Sequence, residues 1–542
     1  MKVVTRHICM LSVYLAGILC SSQAQGMGPV SDRTDSEAGK RESIDGVLVS
    51  WGDIDTRYPK TAVPVHSVTD EVSLTGWRGE RVFAQAVVWT SVPVGALNYE
   101  ITALEGPGRH CIAAEDIRAG FVRHVIGDGF FSNGTGCGDW EDEPFRDSVL
   151  VADCIDHHLE EMRLEPMHTQ GIWLTCRIPG NVAPGIYEGH LIVRDGRRLI
   201  KKLNISIEAR NEILPEPSMW HFHLDLWQNP YAVARYCQTE LWSDAHMDAM
   251  RPLMTMLAEA GQKVITTTLT HMPWDGQTQD HFESMVTWIR KPDGTWEYGF
   301  DIFDKWVEFM MDCGITEQIN CYSVAPWNPL IRYYDQASDS FRYIEAEAGT
   351  QEYERIWSDM LPVFAAHLKE KGWFERSTIA MDERPLEVMQ DVIRIIREVE
   401  PDFKISFAGN YHAEIEPEIY DYCLAYSHEF PEDVIMRRRA EGKISTYYTC
   451  CAEQTPNLFT ISDPSDGLFI GLEMMRRKSD GYLRWAYNSW PLDPLVDSRF
   501  RSFTSGDTFL VYPGARSSVR FERLIQGIQE YEKINCLKDR KQ

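Results

Sequence analysis

The second half of the chain repeats one unit, a short apolar run followed by an amphipathic helical segment. In one such segment Met389, Val392, Ile393, Ile396 and Val399 recur with the 3.6-residue period that places them on one helix face. Eight strand-like runs with helical segments between them favour a (β/α)8 TIM barrel over an open sheet. The predicted barrel strands are Trp220–Leu226, Lys263–Thr268, Gln318–Cys321, Ser377–Met381, Lys404–Phe407, Leu424–His428, Ile444–Thr449 and Tyr482–Tyr487.

The first half of the chain has strand signals and lacks long helical periodicity. Ile205 and Ile207 alternate with polar residues, as a half-buried strand requires, and Asp195-Gly196 between two apolar runs predicts a hairpin turn. We therefore predict a multidomain chain. An N-terminal β-sandwich accessory domain at 44–212 is followed by a TIM-barrel catalytic domain at 213–542.

The N-terminus has the pattern of a targeting segment. Two basic residues precede the apolar run Ile8–Leu19 and small residues follow it, which predicts a signal peptide at 1–24 and a polar linker at 25–43. The apolar run is too short to span a bilayer. We expect an exported protein, periplasmic or extracellular. A lipoprotein anchored through Cys20 is the alternative, which the preceding leucine disfavours.

Charge and composition narrow the range of partners. The net charge of −27 argues against nucleic acid and anionic lipid. No later segment is long and apolar enough to predict a transmembrane helix. The chain contains 17 Trp, and aromatic faces stack well on the apolar faces of sugar rings, although a large core also consumes aromatic residues.

Two adjacent carboxylates follow the fourth predicted barrel strand. That strand ends at Met381, and Asp382 and Glu383 come next, at the end of the barrel where active sites of this fold lie. Adjacent carboxylates repel each other, so one retains its proton at neutral pH, which suits a general acid. Capping of the following helix is the structural alternative.

The adjacency of the two carboxylates bears on the mechanism. Ordinary retaining glycosidases place two carboxyl groups about 5 Å apart, on opposite sides of the scissile bond. Neighbouring residues cannot easily straddle that bond, but they suffice when a 2-acetamido group of the substrate is the nucleophile. Asp382 would then stabilise the amide as a charged group, and Glu383 would protonate the leaving oxygen.

The ends of the other predicted strands supply rings, amides and acids of the kind that line sugar-binding sites. For each of these residues taken singly, core packing is the rival explanation. The predicted substrate-binding residues are His223, Asp225, Trp227, Gln228, Asn410, His428, Tyr447, Trp485, Tyr487, Asn488 and Trp490.

A set of stretches stands out, namely His223–Gln228, Asp382-Glu383, Tyr487–Trp490, Gly506–Gly514 and, in the first domain, Pro184–Tyr187 with Gly189. Together they resemble glycoside hydrolase family 123, over residues 46–535. The resemblance implies a retaining exo-β-N-acetylgalactosaminidase that acts on glycans or glycolipids with a terminal N-acetylgalactosamine. It also implies that Asp382 assists the acetamido group, that Glu383 is the acid/base, and that the chemistry needs no metal ion or organic cofactor.

Two other functions fit parts of the sequence. A metal-dependent amidohydrolase would draw its ligands from His221, His223, His412 and His428. A glycan-binding protein without catalysis would use the same aromatic residues, although the intact carboxylate pair counts against it.

Overall fold

The computed structural model describes residues 31–32, 45–64, 66–130 and 148–539. The predicted signal peptide, 1–24, lies outside this part of the chain, and so does the predicted linker, 25–43, apart from two residues. Within the described part, no helix is long and apolar enough to cross a membrane.

The N-terminal half is a β-sandwich, as predicted. Its strands are β1 (Ser31–Asp32), β2 (Val47–Gly52), β3 (Glu71–Arg78), β4 (Arg81–Thr90), β5 (Val94–Ile101), β6 (Leu104–Glu105), β7 (Cys111–Ile112), β8 (Ile117–Gly127), β9 (Val149–Asp156), β10 (Glu161–Leu164), β11 (His168–Arg177), β12 (Gly185–Asp195) and β13 (Arg198–Ile213). One sheet has the strand order β1-β9-β8-β11-β4-β2 and the other β10-β5-β12-β13-β3, with apolar side chains such as Ala86 and Leu191 packed between them. Ile205 and Ile207 are buried, and Gly196 forms the hairpin turn with φ +57°, which confirms both sequence signals.

The C-terminal half contains alternating strands and helices. Its strands are β14 (His223–Leu226), β15 (Val264–Thr268), β16 (Thr287–Arg290), β17 (Trp296–Gly299), β18 (Gln318–Tyr322), β19 (Leu330–Asp335), β20 (Ser340–Glu345), β21 (Ser377–Met381), β22 (Lys404–Gly409), β23 (Asp421–Ala425), β24 (Ile444–Tyr448), β25 (Gly481–Arg484) and β26 (Ser517–Ser518). Its helices are α1 (Pro230–Cys237), α2 (Asp244–Ala258), α3 (Asp301–Asp312), α4 (Gln351–Lys371), α5 (Leu386–Val399), α6 (Glu432–Ala440), α7 (Ser465–Arg476) and α8 (Val519–Asp539).

Eight of these strands form a parallel barrel, which confirms the predicted fold class. Their order is β14-β25-β24-β23-β22-β21-β18-β15, and a bridge between Leu224 and Gln262 joins the two ends. The sixth barrel strand begins at Asp421, whereas the sequence predicted Leu424. The prediction missed the start of this strand because a charged residue is not expected inside a barrel. Here the carboxylate of Asp421 accepts a hydrogen bond from Gln318 at 2.7 Å.

A small sheet extends the barrel at the C-terminal end of its strands. The loop after β15 carries β16 and β17, and the loop after β18 carries the hairpin of β19 and β20. The four strands pair in the order β17-β16-β19-β20. Both loops therefore add material at the end of the barrel where the carboxylate pair was predicted.

The two halves of the molecule share one buried core. Phe83 and Trp173 of the sandwich belong to the same apolar cluster as Phe222 and Phe521 of the barrel half. Near the C-terminus, β26 returns to pair with β9 of the sandwich. The last long sandwich strand ends at Ile213, and the predicted domain limits of 44–212 and 213–542 stay a prediction.

Candidate active site

Asp382 lies directly after β21 and faces the barrel interior. Strand alternation places it on the same side as Thr378 and Ala380, and Thr378 donates to Asn320 inside the barrel. Asp382 is 8% exposed; its Oδ2 accepts a hydrogen bond from Nε1 of Trp327 at 3.1 Å, whereas its buried Oδ1 has no partner among the described residues. Burial raises the pKa of Asp382 to about 7; the Trp327 hydrogen bond opposes this rise and the charge of Glu383 adds to it.

Glu383 lies in a different environment, exposed to solvent. Its Oε1 accepts a hydrogen bond from the hydroxyl of Tyr448, the last residue of β24. Burial and the charge of Glu383 raise the pKa of Tyr448, so the hydroxyl remains a donor. Neither carboxylate caps a helix, because α5 follows Pro385 and has no side-chain cap.

Aromatic side chains cluster at this end of the barrel. The ring centroid of Trp227 lies 4.9 Å from that of Trp274 and 4.6 Å from that of Tyr322. The same apolar cluster contains Tyr448, and Trp485 packs against it. Of the predicted substrate-binding residues, Trp227 and Trp485 are thus brought together with the carboxylate pair.

Trp485 is held by a buried ion pair. Its Nε1 donates to Oδ1 of Asp507 at 3.2 Å, and the same oxygen accepts from Arg484 at 2.8 Å. Burial raises the pKa of Asp507, and the charge of Arg484 opposes the rise. Asp507 therefore fixes the orientation of one ring in the aromatic cluster.

His223 and Asp225 lie deeper in the barrel, before Trp227 on the inner face of β14. Nε2 of His223 lies 3.6 Å from Asp421, and Oδ2 of Asp225 accepts from Asn320 at 3.4 Å. Burial raises the pKa of Asp225 to about 7, and the charge of Asp421 adds to it. Burial disfavours a charged His223, but the nearby carboxylate of Asp421 outweighs the effect of burial and raises the pKa of His223. Both residues belong to a buried polar network beneath the aromatic cluster.

Four predicted residues are buried and bind backbone groups. Gln228 accepts from the amide of Thr266 at 2.9 Å, and Tyr487 donates to the carbonyl of Leu253 at 3.1 Å. Asn488 donates to the carbonyl of Asn229 at 2.8 Å and accepts from its amide at 2.9 Å. Trp490 donates to the carbonyl of Val511 at 2.7 Å. These bonds satisfy the polar groups that the prediction assigned to sugar binding. None of these hydrogen bonds involves Asp382 or Glu383.

Three further predicted residues lie at or beyond the strand ends. Asn410 and His428 are exposed, one and three residues after β22 and β23 respectively. The hydroxyl of Tyr447 accepts from the amide of Phe430 at 3.2 Å, outside the barrel interior. Because side chains alternate along a strand, it is the next residue, Tyr448, that faces inward and reaches Glu383.

Four residues outside the predicted substrate-binding set contact the candidate site. Tyr448 contacts Glu383, Trp327 contacts Asp382, and Trp274 and Tyr322 pack on Trp227. Trp274 and Trp327 lie on the long loops after β15 and β18. A search for functional residues directly after each barrel strand does not include them. Alternation from Asn320 would have identified Tyr322, one residue past the predicted end of its strand.

The histidines of the amidohydrolase alternative are not arranged as metal ligands. His221 precedes β14 and lies 3.1 Å from Glu532. Across the described ranges of the chain, no three His, Cys, Asp or Glu side chains are grouped so that they could hold a metal ion.

Comparison with known proteins gives matches to both halves of the chain. The family model described as glycoside hydrolase 123, catalytic domain, matches residues 227–537, and that of the glycoside hydrolase 123 N-terminal domain matches 51–195. A family 123 glycoside hydrolase from Clostridium perfringens, whose structure was described for glycolipid glycan hydrolysis, superimposes with a TM-score of 0.81 at 26% identity, covering 91% of this chain and 89% of that chain.

A second solved structure is much less similar. A family 39 glycoside hydrolase from Bacteroides cellulosilyticus is 11% identical and covers 85% of this chain and 82% of its own, but its TM-score is only 0.35. A search of curated proteins finds no match. The family 123 matches therefore carry the assignment.

Proposed function

Because the chain belongs to glycoside hydrolase family 123, we propose that it is a retaining exo-glycosidase that releases terminal β-linked N-acetylgalactosamine from glycans or glycolipids. The family membership makes the chain a glycosidase. The similarity to an enzyme described for glycolipid glycan hydrolysis supports the substrate class.

One observation carries the proposal: Asp382 has a buried oxygen, Oδ1, that finds no hydrogen-bond partner within the described ranges of the chain, while Oδ2 accepts from Trp327. An unpaired buried acceptor is costly, so such an oxygen is an attractive position for a donor from the substrate. The N–H of a 2-acetamido group supplies such a donor next to the carbonyl oxygen that attacks C1, whereas the 2-hydroxyl group of a simple hexose donates but brings no such nucleophile. The acetamido sugar thus accounts for a feature of the ligand-free protein.

The reaction then proceeds in two balanced steps. In the first, the acetamido carbonyl oxygen attacks C1, the bond from C1 to the leaving oxygen breaks, and Glu383 transfers its proton to that oxygen. Asp382 accepts the amide N–H and offsets the positive charge that develops on the amide. In the second step Glu383 removes a proton from water, the water oxygen bonds to C1, and the cyclic intermediate reopens with retained configuration.

The environments of the two carboxylates support this division of roles. Asp382 is buried and reaches the site from the barrel interior, where water does not compete for the amide. Glu383 is exposed, as a group that exchanges protons with a leaving oxygen and with water must be, and Tyr448 orients it. In the ligand-free protein burial favours a proton on Asp382; the amide N–H, by bonding the charged form, favours release of that proton from Asp382.

Chromogenic aryl glycosides test the proposal. The protein should hydrolyse the β-N-acetylgalactosaminide and leave the β-galactoside, which lacks the acetamido group, intact. A thiazoline that mimics the cyclised intermediate should inhibit competitively and more tightly than N-acetylgalactosamine. Equal hydrolysis of both glycosides, or a thiazoline no tighter than the free sugar, would contradict the mechanism; sugar binding without any hydrolysis would favour the non-catalytic alternative.

We also propose that residues 1–24 direct export and are removed, so that the enzyme acts in the periplasm or outside the cell. The support is the basic and apolar pattern of the leader. N-terminal sequencing of the protein from the exported fraction should begin at Gln25. A mature N-terminus at a lipid-modified Cys20 would instead show an anchored protein.

A further inference from the structure

The hairpin of β19 and β20 has two unlike faces. Ile331 is buried, and Tyr333 contacts the ring of Trp296, so one face packs onto the protein. On the opposite face Phe341 is 58% and Tyr343 is 52% exposed. In the strand register Tyr343 pairs with Arg332, so this face carries polar groups among its rings. We call the set of half-buried Arg332 and exposed Phe341 and Tyr343 the hairpin face.

One loop links the hairpin face to the candidate active site. Trp327, which donates to Asp382, is itself 41% exposed, and its backbone amide donates to Pro273 at 2.8 Å. Pro273 belongs to the loop after β15, and two residues earlier in this loop the ring of His271 lies 6.1 Å from that of Tyr343. The loop thus contacts both the tryptophan beside Asp382 and the ring at the near end of the hairpin face.

Charged side chains are fixed among these rings. Arg332 lies over the ring of Phe341, with its guanidinium carbon 4.1 Å from the centroid, and it donates to Glu283 at 3.2 Å. Glu283 also accepts from His271 at 2.8 Å. The surface therefore offers flat apolar rings alternating with anchored donors and acceptors.

We propose that the hairpin face binds the sugar units of the aglycone, next to the terminal residue that is cleaved. The inference rests on the proposed exo-glycosidase function and adds the part of the substrate that the enzyme recognises. Sugars present apolar ring faces edged by hydroxyl groups, which matches rings alternating with polar groups. Phe341 and Tyr343 are two residues apart on one strand face, roughly 7 Å, so the two rings contact different parts of an extended glycan.

A membrane surface fits this face less well. A bilayer-binding patch combines apolar side chains with several free cations, whereas the single arginine here is paired with Glu283. The net charge of −27 further opposes an anionic bilayer. The chemistry of the face therefore favours a neutral oligosaccharide.

The test compares two substrates that differ only in the leaving group: an aryl β-N-acetylgalactosaminide and a soluble oligosaccharide with a terminal β-linked N-acetylgalactosamine. The measured quantity is the ratio of kcat/KM for the oligosaccharide to that for the aryl glycoside. The double variant Phe341→Ala with Tyr343→Ala should lower this ratio about tenfold, because two ring contacts are lost, chiefly through KM. Tyr343→Phe keeps the ring and should keep the ratio near that of the unmodified enzyme.

Phe469→Ala is the matched control, because this phenylalanine is 48% exposed on the outer helix α7. It should leave the ratio unchanged. An unchanged ratio in the double variant, with both substrates hydrolysed, overturns the aglycone site and leaves the proposed function intact. If the unmodified enzyme hydrolyses neither substrate, both proposals fall. If the double variant loses kcat/KM only on a glycolipid in phosphatidylcholine vesicles, and not on the soluble oligosaccharide, the hairpin face contacts the membrane. That result also overturns the inference.

Discussion

Asp382 and Glu383 are neighbours in the chain, yet the barrel gives them opposite surroundings. The first points inward, where burial raises its pKa to about 7, and the second points to solvent. From the sequence we expected one of the pair to retain a proton and assigned it to Glu383. In the ligand-free protein, burial favours that proton on Asp382, so binding of the substrate amide has to move it. This coupling makes the pair sensitive to pH and to substitution in different ways.

Substitution of each carboxylate should separate the two roles. Glu383→Gln should lower kcat/KM by about 10²–10⁴ on an oligosaccharide, which needs a protonated leaving group, and by much less on an activated aryl glycoside. Asp382→Asn should lower it by about 10²–10³ on both, because the amide loses its electrostatic support in either case. Steady-state kinetics with the two substrates measure this. Equal losses of kcat/KM in the two variants on both substrates would contradict the separate roles of Asp382 and Glu383.

The pH dependence of kcat/KM should report Asp382 in the free enzyme. Since its carboxylate must accept the amide N–H, and its pKa is raised to about 7, activity should fall as the pH drops below about 7. The Asp382→Asn variant cannot titrate, so its residual activity should lack this acidic limb. An acidic limb that persists in the variant would assign the titration to another group, such as His223, whose pKa is raised by the neighbouring Asp421 carboxylate.

At the scale of secondary-structure elements, the loops after β15 and β18 complete the candidate site. The first supplies Trp274 to the aromatic cluster, and the second supplies Trp327 to Asp382. Periodicity and strand signals predicted the barrel and the position of the carboxylate pair, because both depend on local patterns. They could not predict Trp274 and Trp327, because these loop residues reach the site only once the barrel has closed and brought the two loops together.

The same limit applies to the faces of the barrel strands. Parallel barrel strands are buried on both sides, so their sequences lack the alternation that would distinguish inward from outward residues. Tyr447 and Tyr448 therefore looked equivalent, and the structure turns only the second toward Glu383. Tyr487 was predicted to bind sugar for the same reason, although it donates to the carbonyl of Leu253.

Removal of the Trp327 hydrogen bond should shift the acidic limb. That bond lowers the pKa of Asp382, so Trp327→Phe should raise this pKa and move the fall in kcat/KM to higher pH. Trp288→Phe is the control, because this tryptophan, in β16, loses a similar bond, to the carbonyl of Leu269 at 2.9 Å, and its indole does not donate to Asp382. Profiles of kcat/KM against pH should therefore move in the first variant and stay in place in the second.

At the scale of the whole molecule, the sandwich and the barrel are joined by a buried charge cluster. Asp153 of β9 is fully buried and binds Arg57 at 3.0 Å, Arg520 of α8 at 3.0 Å and the hydroxyl of Tyr512 at 2.7 Å. Together with the shared apolar core, this cluster ties the accessory sheet to the last barrel helix. The two halves should therefore unfold in one transition when monitored by two probes.

Loss of this carboxylate should destabilise the molecule strongly. Asp153→Ala leaves two arginines without their buried partner, which costs about 3–5 kcal/mol in the free energy of unfolding. The control is Glu216→Gln, which breaks the ion pair with Arg177 between two largely exposed side chains and should cost about 0–1 kcal/mol. Denaturant unfolding at pH 7 measures both. A cost for Asp153→Ala no greater than that of the control would show that the cluster does not hold the two halves together.

The pH dependence of that cost gives an independent check. Burial alone would raise the pKa of Asp153, but the charges of Arg520 and Arg57 outweigh it and lower the pKa below its ordinary value. A carboxylate with a lowered pKa stabilises the folded state above the pKa of the unfolded chain, about 3.9, and this contribution is lost as the pH falls through the folded value. The difference in unfolding free energy between the unmodified enzyme and Asp153→Ala should thus stay constant from pH 7 to about pH 4 and shrink only below it. A difference that instead grows as the pH falls from 7 toward 4 would mean that folding holds a proton on Asp153, and the ion pairs with Arg57 and Arg520 could not be what joins the two halves.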